Sequence, residues 1–445
     1  MAVRFDDLVA ALESDRRLDE WIAVERVTRR AAARTGAAAA RHEAEEHEVE
    51  ARLYRDSDAG RGAAHIMMRG GEGGGAAAAR AQIERAAQDA ALAVGPPWVL
   101  PPPAAPARVE VADPDVTDDP AAAAERMLAA LPGGGAAALA RGEVIAEVTE
   151  VRVRTRRGFD SQYRATRVSF DLLLAGRDGG APERARGEAR RVADLALAGR
   201  LEAAARRQEQ RAAAAPVAPG AYDLVLEPEA IAMPRHGWFA PLVAHADAGR
   251  VRRGLSRYRP GQPVFARRGG EGERAAAGAG AGERFTLTSD GTIPFGLESA
   301  PFGPLGEPVR RFDLVRGGIA AGLALDLREA ALAGATANGG ARNLVLAPGE
   351  TPAAELLAPG ARPLLTVHEL AWLDVDPQGG WMTAGIGLAT LGGRGGAAPK
   401  PARGGTIAGD LFELLGRARL SRETGSAAWF VGPAAIRIDR VEVVP

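Results

Sequence analysis

The 445-residue sequence contains no cysteine, which excludes disulfides, thiolate nucleophiles, iron–sulfur clusters and every zinc site that needs sulfur. Any metal would have to be held by histidine and carboxylates. Histidine is scarce as well: His42, His47, His65, His236, His245 and His368 are the whole set of six, so metal hypotheses can be enumerated completely. Lysine is represented by Lys400 alone, and the remaining cations are guanidinium groups, suited to pairing carboxylates and not to Schiff-base chemistry. Aromatic residues supply only 5% of the chain, so the core falls to Leu, Val, Ile and Ala. No uncharged apolar run approaches the roughly 18 residues of a membrane-spanning helix. Residues 1–15 are acidic and amphipathic and lack the basic and apolar regions of a secretory leader. The expectation is a cytoplasmic protein with no membrane partner.

A large charge of either sign is also missing. Lysine plus arginine (56) nearly balances aspartate plus glutamate (57), for a formal net charge of −1, so no global field draws the protein to nucleic acid. The glycine clusters at 70–75, 132–135 and 392–396 have neither a lysine–serine pair nor a strand–turn–helix setting for a phosphate. No serine sits in a G-x-S-x-G elbow, which removes the α/β-hydrolase reading.

What is present argues for an α+β fold in two domains, because the length exceeds the usual size of one hydrophobic core. Apolar spacing over 5–41 predicts two short helices. Alternation over 48–69 around Asp56, Ser57, Asp58 and Gly60 predicts a β-hairpin. An alanine-rich helix is expected over 76–94, then an extended proline linker at 101–106. Asp119 and Pro120 cap and open another helix ending near 131. Residues 144–156 and 162–174 alternate as a second hairpin, and the arginine-studded stretch 184–211 reads as one long helix. The Ala/Pro segment 212–220 is the expected boundary between an N-terminal domain of helices and β-hairpins (1–219) and a strand-rich C-terminal domain (220–445). In the latter, short apolar runs at 224–226, 285–288, 343–346, 364–367 and 435–444 alternate with Gly/Pro turns. Residues 267–284 read as a mobile surface loop.

The chemistry-bearing candidates are few. His42-Glu43-Ala44-Glu45-Glu46-His47 has the form of a metallopeptidase helix with two ligands and a base. On a helix, however, the two histidines would be separated by roughly 140°, so the string is read as a solvated helix end. His236, His245 and Asp247 could form a His/His/Asp metal site, with packing or substrate contact as the simpler reading. His368 and Glu369 follow a predicted strand, with Trp372, Trp381 and Thr383 nearby, and these five residues are the expected wall of a peptide or partner cleft.

The order of strings in the C-terminal half carries more information than any of these. Tyr222-Asp-Leu-Val-Leu-Glu-Pro228 is followed by the stretch 294–302, by Gly306-Glu-Pro-Val-Arg-Arg311 and by Leu314-Val-Arg-Gly-Gly-Ile319. Then come Gly322-Leu-Ala-Leu-Asp326, Ala335-Thr-Ala-Asn-Gly339, Asn343-Leu-Val-Leu-Ala-Pro-Gly349, Val367-His-Glu-Leu370, the stretch 404–411 and Gly432-Pro-Ala-Ala-Ile-Arg-Ile438. This succession resembles the TldD/PmbA family, also known as modulators of DNA gyrase, over 220–445.

The resemblance implies a heterodimeric zinc peptidase acting on peptides or unfolded segments, leader peptides among them. The TldD-like member would hold zinc through an H-E-x-x-x-H helix in its second domain and a cysteine near its C-terminus. At the matching places this chain has the stretch 240–254, with His245 and no following glutamate, and a closing segment 421–432 without cysteine. The expectation is the PmbA/TldE-like subunit, with no catalytic residue and no metal of its own and with zinc in the TldD-like partner. A homodimeric structural or peptide-binding protein and a self-sufficient metal hydrolase using His236, His245 and Asp247 are the rivals.

Overall fold

The computed structural model describes residues 4–36, 39–69, 75–92, 94–131, 139–176, 182–232, 236–265, 285–392 and 398–445; the expected loop at 267–284 lies outside them. The N-terminal half is built on a seven-stranded antiparallel sheet. Its strands are β1 (Glu20–Gly36), β2 (Ala40–Ser57), β3 (Gly60–Arg69), β4 (Val94–Gly95), β5 (Leu139–Thr155), β6 (Asp160–Leu174) and β7 (Glu183–Ala189). They lie in the order β4-β3-β2-β1-β5-β6-β7. Both expected hairpins are present, β2 with β3 and β5 with β6. Gly60 takes φ +130° at the first turn, where a Cβ would stand 2.1 Å from the Gly95 carbonyl, so only glycine fits.

Two sequence expectations need correction here. Residues 5–41 form one helix, α1 (Phe5–Ser14), followed by the long strand β1. The apolar positions Trp21, Ile22 and Val27 fit helical spacing, but Ile22, Val24, Val27 and Thr28 are β-branched, and β1 is paired along both edges, by β2 and β5. The stretch 184–211 is likewise divided. Arg184, Ala185, Arg186 and Gly187 alternate in β7, and a Cβ at Gly187 would stand 2.6 Å from the Phe170 ring. Only the remainder forms a helix, at Leu197–Ala213.

Period-two alternation divides the sheet's work. Trp21 and Ala23 face α1 and α2 (Gly75–Leu92), while Ala31 and Ala33, on the same face further along, meet α3 (Pro114–Asp118) and α4 (Pro120–Ala129). Asp119 caps α4 by accepting from Ala122 N at 2.9 Å. The alternate residues Ile22 and Val24 pack with Val151, Val153 and Phe159 against Phe302 and Leu327 of the C-terminal half. The last helix of this half, α5 (Leu197–Ala213), leads directly into the C-terminal half.

Among the described residues, fourteen further strands follow: β8 (Ala215–Pro216), β9 (Gly220–Leu226), β10 (Leu287–Asp290), β11 (Arg311–Arg316), β12 (Ile319–Ala320), β13 (Asn343–Leu346), β14 (Leu364–Val375), β15 (Trp381–Gly392), β16 (Lys400–Arg403), β17 (Thr406–Asp410), β18 (Ala418–Leu420), β19 (Thr424–Ala427), β20 (Phe430–Pro433) and β21 (Ile436–Val444). Six form a sheet in the order β12-β11-β10-β13-β20-β19. Of the others, β14-β9-β21-β17-β15 run side by side and β15 pairs back onto β14, closing a five-stranded ring. Leu224, Leu226, Met382, Ala384, Ile407 and Ile438 from this ring share one core with Trp238, Phe239, Phe285 and Phe430. The fold is therefore α+β, with helices and hairpins first and a strand-rich second half. No helix among the described residues is long and apolar enough to cross a membrane.

Candidate functional site

The five predicted wall residues lie on the hairpin of β14 and β15, in three settings. His368 is half-buried. Its Nδ1 is 2.9 Å from Glu227 Oε2 and its Nε2 is 2.7 Å from Thr390 Oγ1. A carboxylate only accepts, so Nδ1 carries the proton and donates. The hairpin register shifts between Val367 and Trp372, and these bulges aim neighbouring side chains in different directions.

Glu369 is turned toward α5. Arg211 Nη2 donates to its carboxylate at 2.8 Å, and the same guanidinium reaches Glu183 Oε2 through Nε at 3.0 Å and the Gly387 carbonyl through Nη1 at 2.9 Å. Burial works to lower the affinity of Arg211 for its proton, but the two carboxylates outweigh it and raise the pKa above the ordinary arginine value. Glu369 is thus a tie between the two halves of the chain.

Trp372, Thr383 and Trp381 come together on one outer surface. Trp372 sits opposite Gly385 in the register, and a Cβ on Gly385 would stand 2.3 Å from the indole Nε1, so the ring lies across bare backbone. Thr383 and Trp381 follow at two-residue spacing on the same face, while Met382, Ala384 and Ile386 between and beyond them point into the core. The two indoles are 46% and 58% exposed, the feature of this surface that most needs explaining.

The histidine candidates for metal do not converge. His42 and His47 lie on β2 and not on a helix end, and at an odd separation on a strand they face opposite sides. His47 Nε2 is 2.8 Å from Glu25 Oε1. His65 stands on β3 with Nε2 3.3 Å from Glu50 Oε2. His236 takes φ +61° and packs edge-on against Trp429, with ring centroids 5.7 Å apart. His245 is 2% exposed. Its Nδ1 accepts from Arg257 N at 3.2 Å, so its Nε2 donates to the Gln378 carbonyl at 2.9 Å, and both ring nitrogens are engaged by backbone. Asp247 Oδ1 caps the helix Ala248–Arg252 through Arg250 N at 2.8 Å. The residues present therefore do not fit a zinc ion held by His236, His245 and Asp247. Among the described residues no three His, Cys, Asp or Glu side chains are grouped to hold a metal.

Sequence reasoning missed the partners. Glu227 and His368 are 141 positions apart, and Arg211 and Glu369 are 158 apart; no local pattern announces either. Arg190 was likewise unmarked. It donates to the carbonyls of Leu297 at 2.7 Å, Ser299 at 3.0 Å, Gly296 at 3.3 Å and Thr166 at 3.2 Å. Burial lowers its pKa.

The architecture is that of solved TldE-type proteins. TldE from Thermococcus kodakarensis superposes with a TM-score of 0.74 at 19% identity, covering 99% of both chains. A protein described as a modulator of DNA gyrase from Bacteroides thetaiotaomicron gives a TM-score of 0.76 at 16% identity, covering 98% of this chain and 97% of that one. Another so described, from Thermotoga maritima, gives 0.72 at 16% identity with 99% of each chain covered. A search of curated protein sequences returns no significant match. Residues 219–444 match the model of the PmbA/TldA metallopeptidase C-terminal domain, and the chain belongs to that TldD/PmbA family.

Proposed function

We propose that this chain is the non-catalytic, TldE/PmbA-like subunit of a two-chain zinc peptidase. A TldD-like partner holds the zinc, the general base and the attacking water. This chain supplies part of the peptide cleft and the dimer surface, and the complex acts in the cytoplasm on peptides or unfolded segments, leader peptides included. The observation that carries the reading is the engagement of both His245 ring nitrogens by backbone. His245 is the one histidine in the stretch that the family resemblance aligns with the zinc helix. Whole-length likeness to TldE supports the same side of the pair. Trp372, Trp381 and Thr383 form the cleft wall in this reading, while His368 and Glu369 brace it.

The test is metal content and peptidase activity of the chain purified alone, and again after coexpression with a TldD-like chain from the same genome. Zinc and activity only in the coexpressed complex support the subunit assignment. Stoichiometric metal in the lone chain, lost in His245→Ala, would make it a metal hydrolase in its own right. A lone homodimer that ignores the TldD-like chain would leave a structural or peptide-binding protein.

A further inference from the structure

The subunit role leaves one side-chain constellation of the C-terminal half unused. The parallel register of β9 and β14 sets Leu226 beside Val367, so Glu227 and His368 are the next residue on each strand, where β9 gives way to the helix Pro228–Ile231. The antiparallel register of β14 and β15 sets Thr390 opposite Thr366, two positions before His368. Val367 pairs with Ala389 and Glu369 with Leu388, which makes His368 the extra residue of a bulge. Three strands thereby align a carboxylate, an imidazole and a hydroxyl. Glu227 Oε2 is 2.9 Å from His368 Nδ1, and His368 Nε2 is 2.7 Å from Thr390 Oγ1.

The direction of each hydrogen bond follows from the groups themselves. An ionised Glu227 only accepts, so in neutral His368 the proton sits on Nδ1 and Nε2 presents a lone pair. Thr390 is therefore the donor, which is the polarity a base needs to withdraw a hydroxyl proton. Nucleophile and base within hydrogen-bond reach, with a third group orienting the base, is the geometry of an activated hydroxyl. All three residues are half-buried, with 24% of the His368 side chain and 37% of the Glu227 side chain exposed, so a small molecule can reach them. Thr366 and Pro401, paired with Thr390 on its two sides, are uncharged, which suits an acyl ester better than a phosphoryl group. The three side chains leave no donor over for a developing oxyanion, so the fitting substrates are esters with good leaving groups and not amides.

We propose that Glu227, His368 and Thr390 form a second reactive centre, which takes the acyl group of an activated ester onto Thr390 and passes it to water. Thr390 Oγ1 bonds to the ester carbonyl carbon, its proton moves to His368 Nε2, and the bond from that carbon to the alkoxy oxygen breaks. His368 returns the proton to the departing alkoxide. A water molecule then gives a proton to Nε2 and its oxygen to the acyl carbon, the bond to Thr390 Oγ1 breaks, and Thr390 recovers the proton. Glu227 stays ionised throughout and holds Nδ1–H, as a positioning residue. This centre needs neither zinc nor a partner chain and so stands apart from the subunit role.

The probes are p-nitrophenyl acetate and an alkyl fluorophosphonate, applied to the purified full chain with EDTA present, so that zinc chemistry does not contribute. Release of p-nitrophenol with an initial burst is expected, together with a phosphonyl adduct that peptide mass spectrometry maps to Thr390. Thr390→Ser keeps both signals and Thr390→Val abolishes them. His368→Gln slows labelling about 100-fold. Glu227→Gln lowers kcat for the ester and leaves KM in place, whereas a mere brace would lower the melting temperature at unchanged kcat. Labelling of Thr390 no faster than that of a threonine-containing peptide overturns the inference. So does ester hydrolysis that survives Thr390→Val, or labelling that ignores His368→Gln. Each of those failures leaves the zinc-partner reading standing, because that reading is tested by coexpression and not by the lone chain's esterase activity.

Discussion

In the N-terminal half, β1 pairs with β2 and β5, β2 with β3, and β5 with β6, and these pairings reach along nearly the full length of the long strands. In the C-terminal half, β9 is flanked by β14 and β21, which come from far along the chain, and the ring closes only when β15 returns to β14. The first arrangement spreads its stability over many modest contacts along long paired strands. The second concentrates it where distant segments meet, and at one such place there is a buried ion pair. Asp223 on β9 is 3% exposed and Arg437 on β21 is 5% exposed. Arg437 Nη2 donates to Asp223 Oδ2 at 2.8 Å, Arg362 Nε donates to Oδ1 at 2.7 Å, and Arg440 N donates to the same oxygen at 3.1 Å. Arg437 also reaches the Leu356 and Ala358 carbonyls.

The sharpest way to break the comparison is Asp223→Ala. Removing Asp223 leaves Arg437 the partly exposed Asp439 carboxylate, which accepts from its Nε at 2.9 Å, and two carbonyls, so the lost charged hydrogen bonds are expected to cost about 1.5–3 kcal/mol, read from urea unfolding. A loss below about 1 kcal/mol would mean that the ring is held by its apolar core alone. The same carboxylate predicts acid sensitivity. Burial tends to raise its pKa, but hydrogen bonds from Arg362, Arg440 N and Arg437 outweigh burial and hold it below the usual value. A depressed folded pKa contributes stability above the unfolded value, near about 4, and loses it as pH falls through the folded one. Unfolding below about pH 4 should begin in the C-terminal half, with Trp429 and its neighbours reporting it before the N-terminal sheet.

The next largest effect comes from the opposite design. Ala31, Ala33 and Ala146 on the sheet meet Ala123 and Ala124 of α4, so helix and sheet approach at alanine distance, and Ala146 is fully buried. Ala146→Leu forces them apart and is expected to cost about 1–3 kcal/mol in thermal or chemical unfolding. A neutral result would show slack in that layer.

These two regions also explain how much was legible. The hairpins follow from alternation because β2–β3 and β5–β6 are consecutive strands, whereas the β1–β5 pairing joins segments far apart in the chain, and Asp119-Pro120 marks a helix start by local chemistry alone. Residues 20–36 are misread because both faces of β1 are buried where Trp21 and Ala23 meet one core and Ile22 and Val24 another, so no alternation shows and only pairing on both edges decides. The ring was out of reach. Short runs such as 224–226 and 364–367 were recognisable as strands, yet nothing within them says that they lie side by side in parallel. Strand-end position and polarity single out Trp372, Trp381 and Thr383, and these three share one outer surface of the hairpin. Glu369 was assigned to it for the same reason but answers instead to Arg211 and Glu183 on the other half of the chain.

A smaller effect, informative by its sign, sits where the halves meet. Glu307 is 5% exposed, in a turn whose Gly306 abuts the Phe159 ring of the N-terminal half. Burial raises its pKa against the hydrogen bonds from its own N–H and from Leu305 N. A raised folded pKa contributes stability that is complete below the unfolded value and is lost as pH rises through the folded one, opposite in sign to Asp223. Glu307→Gln keeps an oxygen to accept from Leu305 N and removes the charge. The variant is expected to be more stable than the parent at alkaline pH and equal to it in mild acid; a penalty at alkaline pH would require a cation paired with Glu307 there.

The smallest expected effect tests whether the distal meander depends on its charges. Arg34 Nε donates to Glu143 Oε1 at 2.9 Å across β1 and β5, with 60% and 24% of the two side chains exposed, and Arg30 stands 3.8 Å from the same carboxylate. Arg34 stays largely hydrated, and holding two long side chains in one geometry costs entropy, so such pairs contribute about 0–1 kcal/mol. A double-mutant cycle of Arg34→Ala and Glu143→Ala should give a coupling within about 0.5 kcal/mol that vanishes in high salt. Arg30 can take over the carboxylate when Arg34 is removed, which lowers the expected coupling further. A salt-resistant coupling well above that range would make the arginine–glutamate ladder a structural element in its own right and erase the contrast with the single buried pair that spans β9 and β21.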